Sequence, residues 1–403
     1  MTPAGKGLAR RMGRMRASTI REILKITKQK GIISFAGGLP APELFPLQEF
    51  AAAMDETLRQ DGVSALQYDI TEGYPPLKEF LCDWLGRQGV ACTPAQMMLT
   101  NGSQQALDLI GKILINPHDT VVVENPTYLG AIQAFNPYEP RYACVPIDEQ
   151  GMRPEIFAKT LRGRSARLSY FVPTFQNPSG ITMPEARRLA VLRDAHRHNV
   201  PVVEDNPYGY LRFSGQPQKT LYELARGRGV LYLSTFSKIL SPGIRLGFVV
   251  ADERMIQALV LAKQAADLQP NSLIQRAVYH YAVRGGLDRH IPAIIESYRR
   301  RAEIMLQAME RHFPPSARWV QPEGGMFIWC ELPKGVSATA VFRKAIEHRV
   351  AYVTGRVFYA NGGGDNTFRL NFTNSTEQQI RDGIERLGDV LKEACGKVER
   401  RLS

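Results

Sequence analysis

Between about residues 97 and 250, short apolar runs alternate with stretches of helical periodicity. MMLT (97–100), VVV (121–123), LSYFV (168–172), PVVE (201–204), VLYL (230–233) and LGFVV (246–250) are the predicted strands. The first two flank QQALDLIGKILI, where Ala106, Leu107, Ile110, Ile113 and Leu114 recur at helical spacing and predict one core-facing stripe. Pro184 is placed to open another helix, with Leu189, Leu192 and Ala195 turned to the core and Asn199 at its close. Repeated strand and helix units of this kind build a parallel sheet, so the expected class is α/β.

Past residue 252 the strand signal fades. MIQALVLAKQAADL and IPAIIESYRRRAEIMLQAMERHF read as long amphipathic helices, the second leading toward a further domain. A smaller α+β region follows, with GGMFIWCEL and FRLNF as strands, VSATAVFRKAIEHR and STEQQIRDGIERLGDVLKEAC as helices, and NGGGDN (361–366) as a turn. The expected division is an arm with part of the small domain over 1–47, a large domain over 48–290 and a small domain over 291–403. A chain of 403 residues is long enough for two to three domains at about 150 residues each. No repeat or low-complexity tract points to a solenoid.

Composition removes several classes of function. Hydrophobic residues at 44% and charged residues at 22% are those of a globular enzyme and exclude disorder as the main state. No apolar run approaches the length of a spanning helix, and the opening MTPAGKGLARRMGRMR lacks the apolar core of a secretory signal, so a cytoplasmic protein without membrane partners is expected. The same Arg-rich opening also resembles a mitochondrial transit peptide. Five scattered cysteines with no CxxC pair argue against a disulfide framework and a zinc site. The net charge of +12 is dispersed apart from Lys6, Arg10, Arg11, Arg14 and Arg16, which read as a solvated or subunit-contacting arm rather than a nucleic-acid surface. His196 and His198 in AHRHN have no accompanying carboxylate pattern and read as a solvated helix end, so no metal is expected.

Chemistry collects after the strands, where open α/β sheets bind their ligands. Asn101-Gly102-Ser103-Gln104, Asn125-Pro126-Thr127-Tyr128, Asn177-Pro178-Ser179-Gly180, Asp205-Asn206-Pro207-Tyr208 and Thr235-Phe236-Ser237-Lys238 follow five successive candidates. A glycine turn into a helix at Ser103 or Gln104 aims backbone N–H groups and a positive dipole end out of the sheet, which suits a phosphate. Thr235, Ser237 and Arg245 can add hydroxyls and a guanidinium to the same anion. GxGxxG and GxxxxGK are absent, which removes the usual support for dinucleotides and ATP. Lys238 stands between an apolar strand and Ile239-Leu240, where desolvation would lower its pKa and suit it to Schiff-base chemistry with an aldehyde. Asp205, at another strand end, is a candidate partner for a protonated pyridine nitrogen.

With these residues in view the chain resembles the pyridoxal phosphate (PLP) dependent aminotransferases of fold type I, class I/II, and in particular the branch of 2-aminoadipate (LysN-like) and kynurenine aminotransferases. ASTIREIL, SFAGGLPAPELFP, LQYDITEGYPPLKEFL, NGSQQALDLI, ENPTYLGAI, PTFQNPSG, EDNPYGYL, STFSKILSPGIRLGF, GGMFIW and FRLNF occur in the family's order. The resemblance implies a large domain with a mostly parallel seven-stranded sheet and a smaller α+β domain. It implies that Lys238 is the Schiff-base lysine, that Asp205 binds the ring nitrogen, that Asn177 and Tyr208 bind the phenolic oxygen and that Tyr128 stacks on the ring. Ser103, Gln104, Thr235, Ser237 and Arg245 would hold the phosphate, with Tyr68 reaching the phosphate of the neighbouring subunit in a homodimer. Thr235 stands where the family commonly has serine, and keeps the hydroxyl. Arg369 would clamp the substrate α-carboxylate, helped by Asn177 and the backbone near Gly38, and Arg21 would lie near an acidic substrate side chain.

The implied reaction moves an amino group from an L-amino acid (2-aminoadipate or glutamate, aromatic or large aliphatic) to a 2-oxo acid such as 2-oxoglutarate. A β-lyase or decarboxylase on the same fold is the rival reading, and Arg369 favours transamination because a carboxylate clamp positions Cα–H for cleavage. A DNA-linked regulatory binding module is the rival from another class. The arm is expected to run straight into the aminotransferase-like sequence without room for a winged helix.

Overall fold

The computed structural model describes residues 7–15 and 31–402, so Arg21 lies outside the described residues. A short strand β1 (Ile33–Ser34) precedes a large sheet built from β2 (Met97–Thr100), β3 (Thr120–Asn125), β4 (Arg141–Asp148), β5 (Gly151–Met152), β6 (Ala166–Phe171), β7 (Val202–Asp205), β8 (Val230–Thr235) and β9 (Gly247–Val250). Their spatial order is β2-β9-β8-β7-β6-β3-β4-β5. The β4–β3–β6–β7–β8 pairings are all parallel, whereas β9 runs antiparallel to both β8 and β2. The sheet thus has one strand more than the seven expected: the two-residue β5 folds back antiparallel on the end of β4.

The helices Ser103–Leu114, Leu129–Phe135, Pro154–Gly163, Glu185–Arg197 and Leu221–Ala225 connect successive strands. The strands with uninterrupted apolar runs, such as β2 and β8, are buried along their whole length. In β4, RYACVPID, buried and partly exposed positions alternate because only one face meets the core, and no continuous apolar run marks it in the sequence.

One expectation is corrected in the helix Glu185–Arg197. Leu189 is 47% exposed, and the core-facing positions are Arg188, Val191, Asp194 and Ala195. Arg188 occupies the inward place because its guanidinium has a full set of acceptors there: Met183 O at 2.8 Å, Lys219 O at 3.0 Å, and Pro173 O and Thr174 Oγ1 at 2.8 and 2.9 Å. The buried Glu204 carboxylate lies 3.9 Å away. A buried charge with partners of this number is tolerated, and it turns the helix so that Leu189 faces out.

The second layer holds β10 (Arg318–Trp319), β11 (Phe327–Glu331), β12 (Val350–Ala351), β13 (Val353–Thr354) and β14 (Thr367–Asn371). β10-β11-β14-β13 form an antiparallel sheet, while β12 pairs in parallel with β1, tying the beginning of the described chain to its C-terminal third. Helices Ala338–Glu347 and Glu377–Leu402 accompany them. The helix Gly286–His312 starts five residues before IPAII and runs unbroken through residue 290. Val122, Leu233 and Phe248 of the large sheet and Phe368 and Leu370 of the small one belong to a single apolar cluster, so the two layers share a packed interior. Among the described residues no helix is long and apolar enough to cross a membrane.

Candidate active site

β2, β3, β6, β7 and β8 point the same way, so the segments that follow them share one rim. β9 contributes differently. Because it is antiparallel, its first residue, Gly247, pairs with Thr235 and Thr100 at the strand ends, and Arg245 just before it arrives on the same rim. Gly247 is required there: a Cβ would stand 2.8 Å from Ser103 N and 2.9 Å from Gly102 C and Ser234 O. Gly102, at φ 77°, caps the helix that begins at Ser103, and its own Cβ would meet Arg245 Nη2 at 2.6 Å. Backbone N–H groups of the first helical turn, which lack intrahelical acceptors, therefore face Arg245 across a concavity that any side chain at Gly102 would fill.

The Arg245 guanidinium donates to Ser237 Oγ at 3.5 Å and to Asn101 O at 3.4 Å, and the Thr235 and Ser237 hydroxyls are 2.9 Å apart. Gln104 differs from a simple side-chain ligand, since its Nε2 donates to Gly130 O at 2.9 Å and leaves its backbone N–H for an anion. Behind the cradle lies a network that sequence reasoning did not find. Asp267 Oδ2 accepts from Asn101 Nδ2 at 2.6 Å and from Gln105 Nε2, while Lys263 Nζ donates to Gln105 Oε1 at 2.9 Å and Asp267 Oδ1 at 2.6 Å. Its two halves are 158 to 166 positions apart along the chain, so no local pattern announces them.

Lys238 and Asp205 occupy neighbouring parts of the rim. Lys238 Nζ donates to Gly38 O at 2.8 Å, 200 residues away in sequence. Burial, reinforced by the charges of Arg369 and Arg245, lowers its pKa to about 8. Gly38 therefore offers the lysine a carbonyl acceptor, and only backbone N–H groups near it could serve a substrate carboxylate. Asp205 is 1% exposed; its Oδ2 accepts from the Tyr170 hydroxyl at 2.8 Å, and its Oδ1 has no hydrogen-bond partner among the described residues. Desolvation raises its pKa to about 7 against the pull of that hydroxyl. An orphaned, buried carboxylate oxygen is costly and rare in a folded protein, and it marks a place for a missing donor. In the sequence Tyr170 reads only as part of an apolar strand, and its hydroxyl gives no separate signal.

Burial above all, together with the Asp205 charge, pushes the Tyr128 phenol up to about 12 against the charges of Arg369 and Arg245. Asn177 Nδ2 donates to the Tyr208 hydroxyl at 3.0 Å, and Asn177 Oδ1 accepts from Arg369 Nη1 at 2.7 Å. Burial raises the Tyr208 phenol as well, and its ring meets Phe327 edge-on at 5.7 Å. Arg369, on β14 and 1% exposed, also donates from Nη2 to Ala36 O at 2.9 Å. Its guanidinium lies 4.0 Å from the Phe327 ring centre and 5.1 Å from that of Phe358, while Nε has no partner among the described residues. Loss of hydration lowers its pKa to about 10, and a carboxylate would restore the missing partner.

The structure thus brings together Lys238, Asp205, Tyr208, Asn177, Tyr128, Arg369, Gly38 and the cradle of Ser103, Gln104, Thr235, Ser237 and Arg245. It does not bring Tyr68 to the site of its own chain, where the ring is 78% exposed. The residues fit PLP: the cradle suits a phosphate, the orphaned Asp205 oxygen suits a protonated pyridine nitrogen, and an amine of lowered pKa suits an aldehyde.

Comparison with known proteins agrees. The aminotransferase class I and II family pattern matches residues 23–387. Aromatic-amino-acid aminotransferase 1 of Thermococcus litoralis is 45% identical over 389 residues, 95% of this chain and 93% of that protein. LysN, the alpha-aminoadipate aminotransferase of Thermus thermophilus, solved with N-(5'-phosphopyridoxyl)-L-leucine, superposes with a TM-score of 0.91 at 44% identity, covering 97% of this chain and 98% of that one. The kynurenine aminotransferase of Pyrococcus horikoshii, solved in complex with PMP, gives 0.93 at 45% identity with the same coverage. On the family match, and with residues at the site that fit its cofactor, the chain belongs to the class I and II aminotransferases and is a PLP-dependent transaminase of amino acids with fold type I.

Proposed function

We propose that the enzyme passes the amino group of 2-aminoadipate, glutamate, and aromatic or large aliphatic L-amino acids to 2-oxoglutarate or a similar 2-oxo acid. The names of its relatives, which cover aromatic amino acids, aminoadipate and kynurenine, support a range of this breadth. The observation that carries the reading of the site is the buried Asp205 Oδ1, which has no partner among the described residues. When bound, PLP supplies an aldehyde that takes up the amino group and a protonated ring that withdraws electrons from the substrate Cα.

The chain's own residues supply the rest. Asp205 Oδ1 accepts the ring N–H and keeps it protonated, with Tyr170 holding the other oxygen in place. Asn177 Nδ2 and the Tyr208 hydroxyl would donate to the phenolic oxygen of a bound PLP, and Tyr128 would pack against its ring. Ser103, Gln104, Thr235, Ser237 and Arg245 anchor the phosphate. Arg369 pairs with the α-carboxylate, exchanging part of its present bonding to Asn177 and Ala36 and satisfying Nε. With the cofactor bound, Lys238 Nζ, an amine whose pKa burial lowers, would take the proton from the substrate Cα and hand it to the cofactor. Arg21 reaches toward acidic side chains.

The functional unit is a homodimer in the cytoplasm, in which Tyr68 completes the neighbour's phosphate site. Exposed Val63 at 83%, Leu66 at 71%, Tyr68 at 78% and Leu261 at 69% support burial against a second copy. The test is a panel of amino donors with 2-oxoglutarate, scored by 2-oxo acid formation, together with borohydride reduction of the holoenzyme. Label recovered on Lys238 and activity with both acidic and apolar donors is the expected result. Label on another lysine would refute the site, and release of ammonia or carbon dioxide in place of amino transfer would favour a lyase or decarboxylase.

A further inference from the structure

Away from this site two of the five cysteines meet. Cys82 lies on the helix Pro75–Gly86, and Cys92 on the segment that leads from it toward β2; their sulfurs are 3.6 Å apart, with the Cys92 thiol donating to Cys82. Both line a surface depression of about 690 Å³, together with Phe80, Asp83, Arg87 and Ala91. Cys82 is 9% exposed and Cys92 more open. Lys78 stands one helical turn before Cys82 and is itself buried. Cys82 sits at the edge of the core and Cys92 is half-buried beside it, so two thiols in contact at the wall of a depression, with an ammonium group one helical turn away, have the surroundings of oxidisable cysteines.

We propose that Cys82 and Cys92 are a covalent modification site, a dithiol that a small hydroperoxide converts reversibly to a disulfide. Cys82 is the attacking sulfur. The hydrogen bond from Cys92 favours its thiolate most and Lys78 adds to that, against burial and the charges of Asp83 and Glu79. Cys92, the hydrogen-bond donor, is correspondingly held in its protonated form. The Cys82 thiolate attacks the outer peroxide oxygen, an S–O bond forms and the O–O bond breaks, and the leaving oxygen takes a proton to depart as an alcohol or water. The Cys92 sulfur then attacks Cys82; the S–S bond forms, the S–O bond breaks, and hydroxide leaves with the Cys92 proton as water. Two thiols and one hydroperoxide thus give one disulfide, one alcohol (or water) and one further water, with the two electrons passing from sulfur to the peroxide. The S···S distance needs only a short closing movement to reach the about 2.05 Å of a disulfide.

The remaining cysteines are Cys144, Cys330 and Cys395. Burial raises the Cys144 thiol to about 11, and Cys330 and Cys395 are buried. The closed bond would staple the return segment to its helix without touching the residues of the cofactor site.

The experiment uses the reduced holoenzyme and stoichiometric hydrogen peroxide, followed by thiol titration in denaturant and non-reducing peptide mapping. The expected result is a fall from five thiols per chain to three, with one cross-linked peptide pair joining Cys82 to Cys92 and full recovery on adding dithiothreitol. In Cys92→Ser, oxidation should stop at a sulfenic acid on Cys82 that dimedone traps; in Cys82→Ser, Cys92 should remain a thiol. Retention of all five thiols, or oxidation at Cys144 ahead of this pair, would overturn the proposal, as would equal reactivity of Cys92 in the Cys82→Ser variant.

Discussion

Asp205 shows how one side chain can report on its ligand. In the cofactor-free protein its carboxyl ionises at about 7 where an aspartate ordinarily ionises at 3.8. Between those values the folded protein holds a proton there that the unfolded chain has released. Its contribution to stability therefore falls as pH rises through that window, by up to about 4 kcal/mol. A protonated ring nitrogen beside Oδ1 would remove the cause. The gap between the melting temperatures of holoenzyme and apoprotein should widen as pH is raised from about 5 to about 8, and calorimetry of both forms would measure it. Glu124, raised by burial to about 8, acts in the same direction in both forms and drops out of the comparison. A gap independent of pH would mean that Asp205 does not face the ring. Arg21 invites a different measurement. A charged hydrogen bond to an acidic side chain is worth about 1.5–3 kcal/mol, so Arg21→Ala should lower kcat/KM for 2-aminoadipate roughly tenfold to a hundredfold and leave leucine nearly unchanged. An equal fall for both donors would assign Arg21 to folding of the arm.

At the scale of elements, the helix Glu185–Arg197 and strand β9 show what local patterns miss. Apolar spacing favours turning Leu189 inward, but four backbone and side-chain acceptors and a buried glutamate draw Arg188 there instead. Arg188→Ala would leave Glu204 buried without its cation and should cost about 3–5 kcal/mol in denaturant unfolding. Leu189→Ser should stay within about 0.5 kcal/mol, the range usual for surface positions. If the two variants were equally damaging, the face would be wrongly assigned. β9 reads as one more apolar run, LGFVV, and nothing within it states its direction. Its antiparallel pairing with β2 and β8 is what carries Arg245 to the rim beside Ser237 and the helix that begins at Ser103.

For the whole molecule, the proposed homodimer predicts that the exposed Val63, Leu66 and Tyr68 are covered by the second copy. Sedimentation should give twice the 45.1 kDa chain mass. Tyr68→Phe should weaken cofactor retention while leaving the dimer intact. Mixing Tyr68→Phe with Lys238→Ala chains should produce hybrid dimers, each with one site that has both a native lysine and a native neighbouring tyrosine. Tight cofactor retention by Tyr68→Phe alone, or a monomer at working concentration, would refute a shared site.

Legible along the chain are the inventory and order of the chemistry: strands ending in a phosphate-type turn, an amide, a carboxylate and a lysine, in an order that resembles one family over nearly the whole chain. Apolar periodicity is local, so it located β2, β8 and the long helices well, and it passed over β4, whose exposed face interrupts the apolar run. Tertiary structure alone decided the contacts that make the set a site: Lys238 on Gly38, 200 residues away, Asn177 on Arg369, 192 residues away, and the Tyr170 hydroxyl on Asp205. Such pairings depend on which faces remain unsatisfied once the two sheets share one core, and that balance of burial and hydrogen bonding does not exist until the chain has packed.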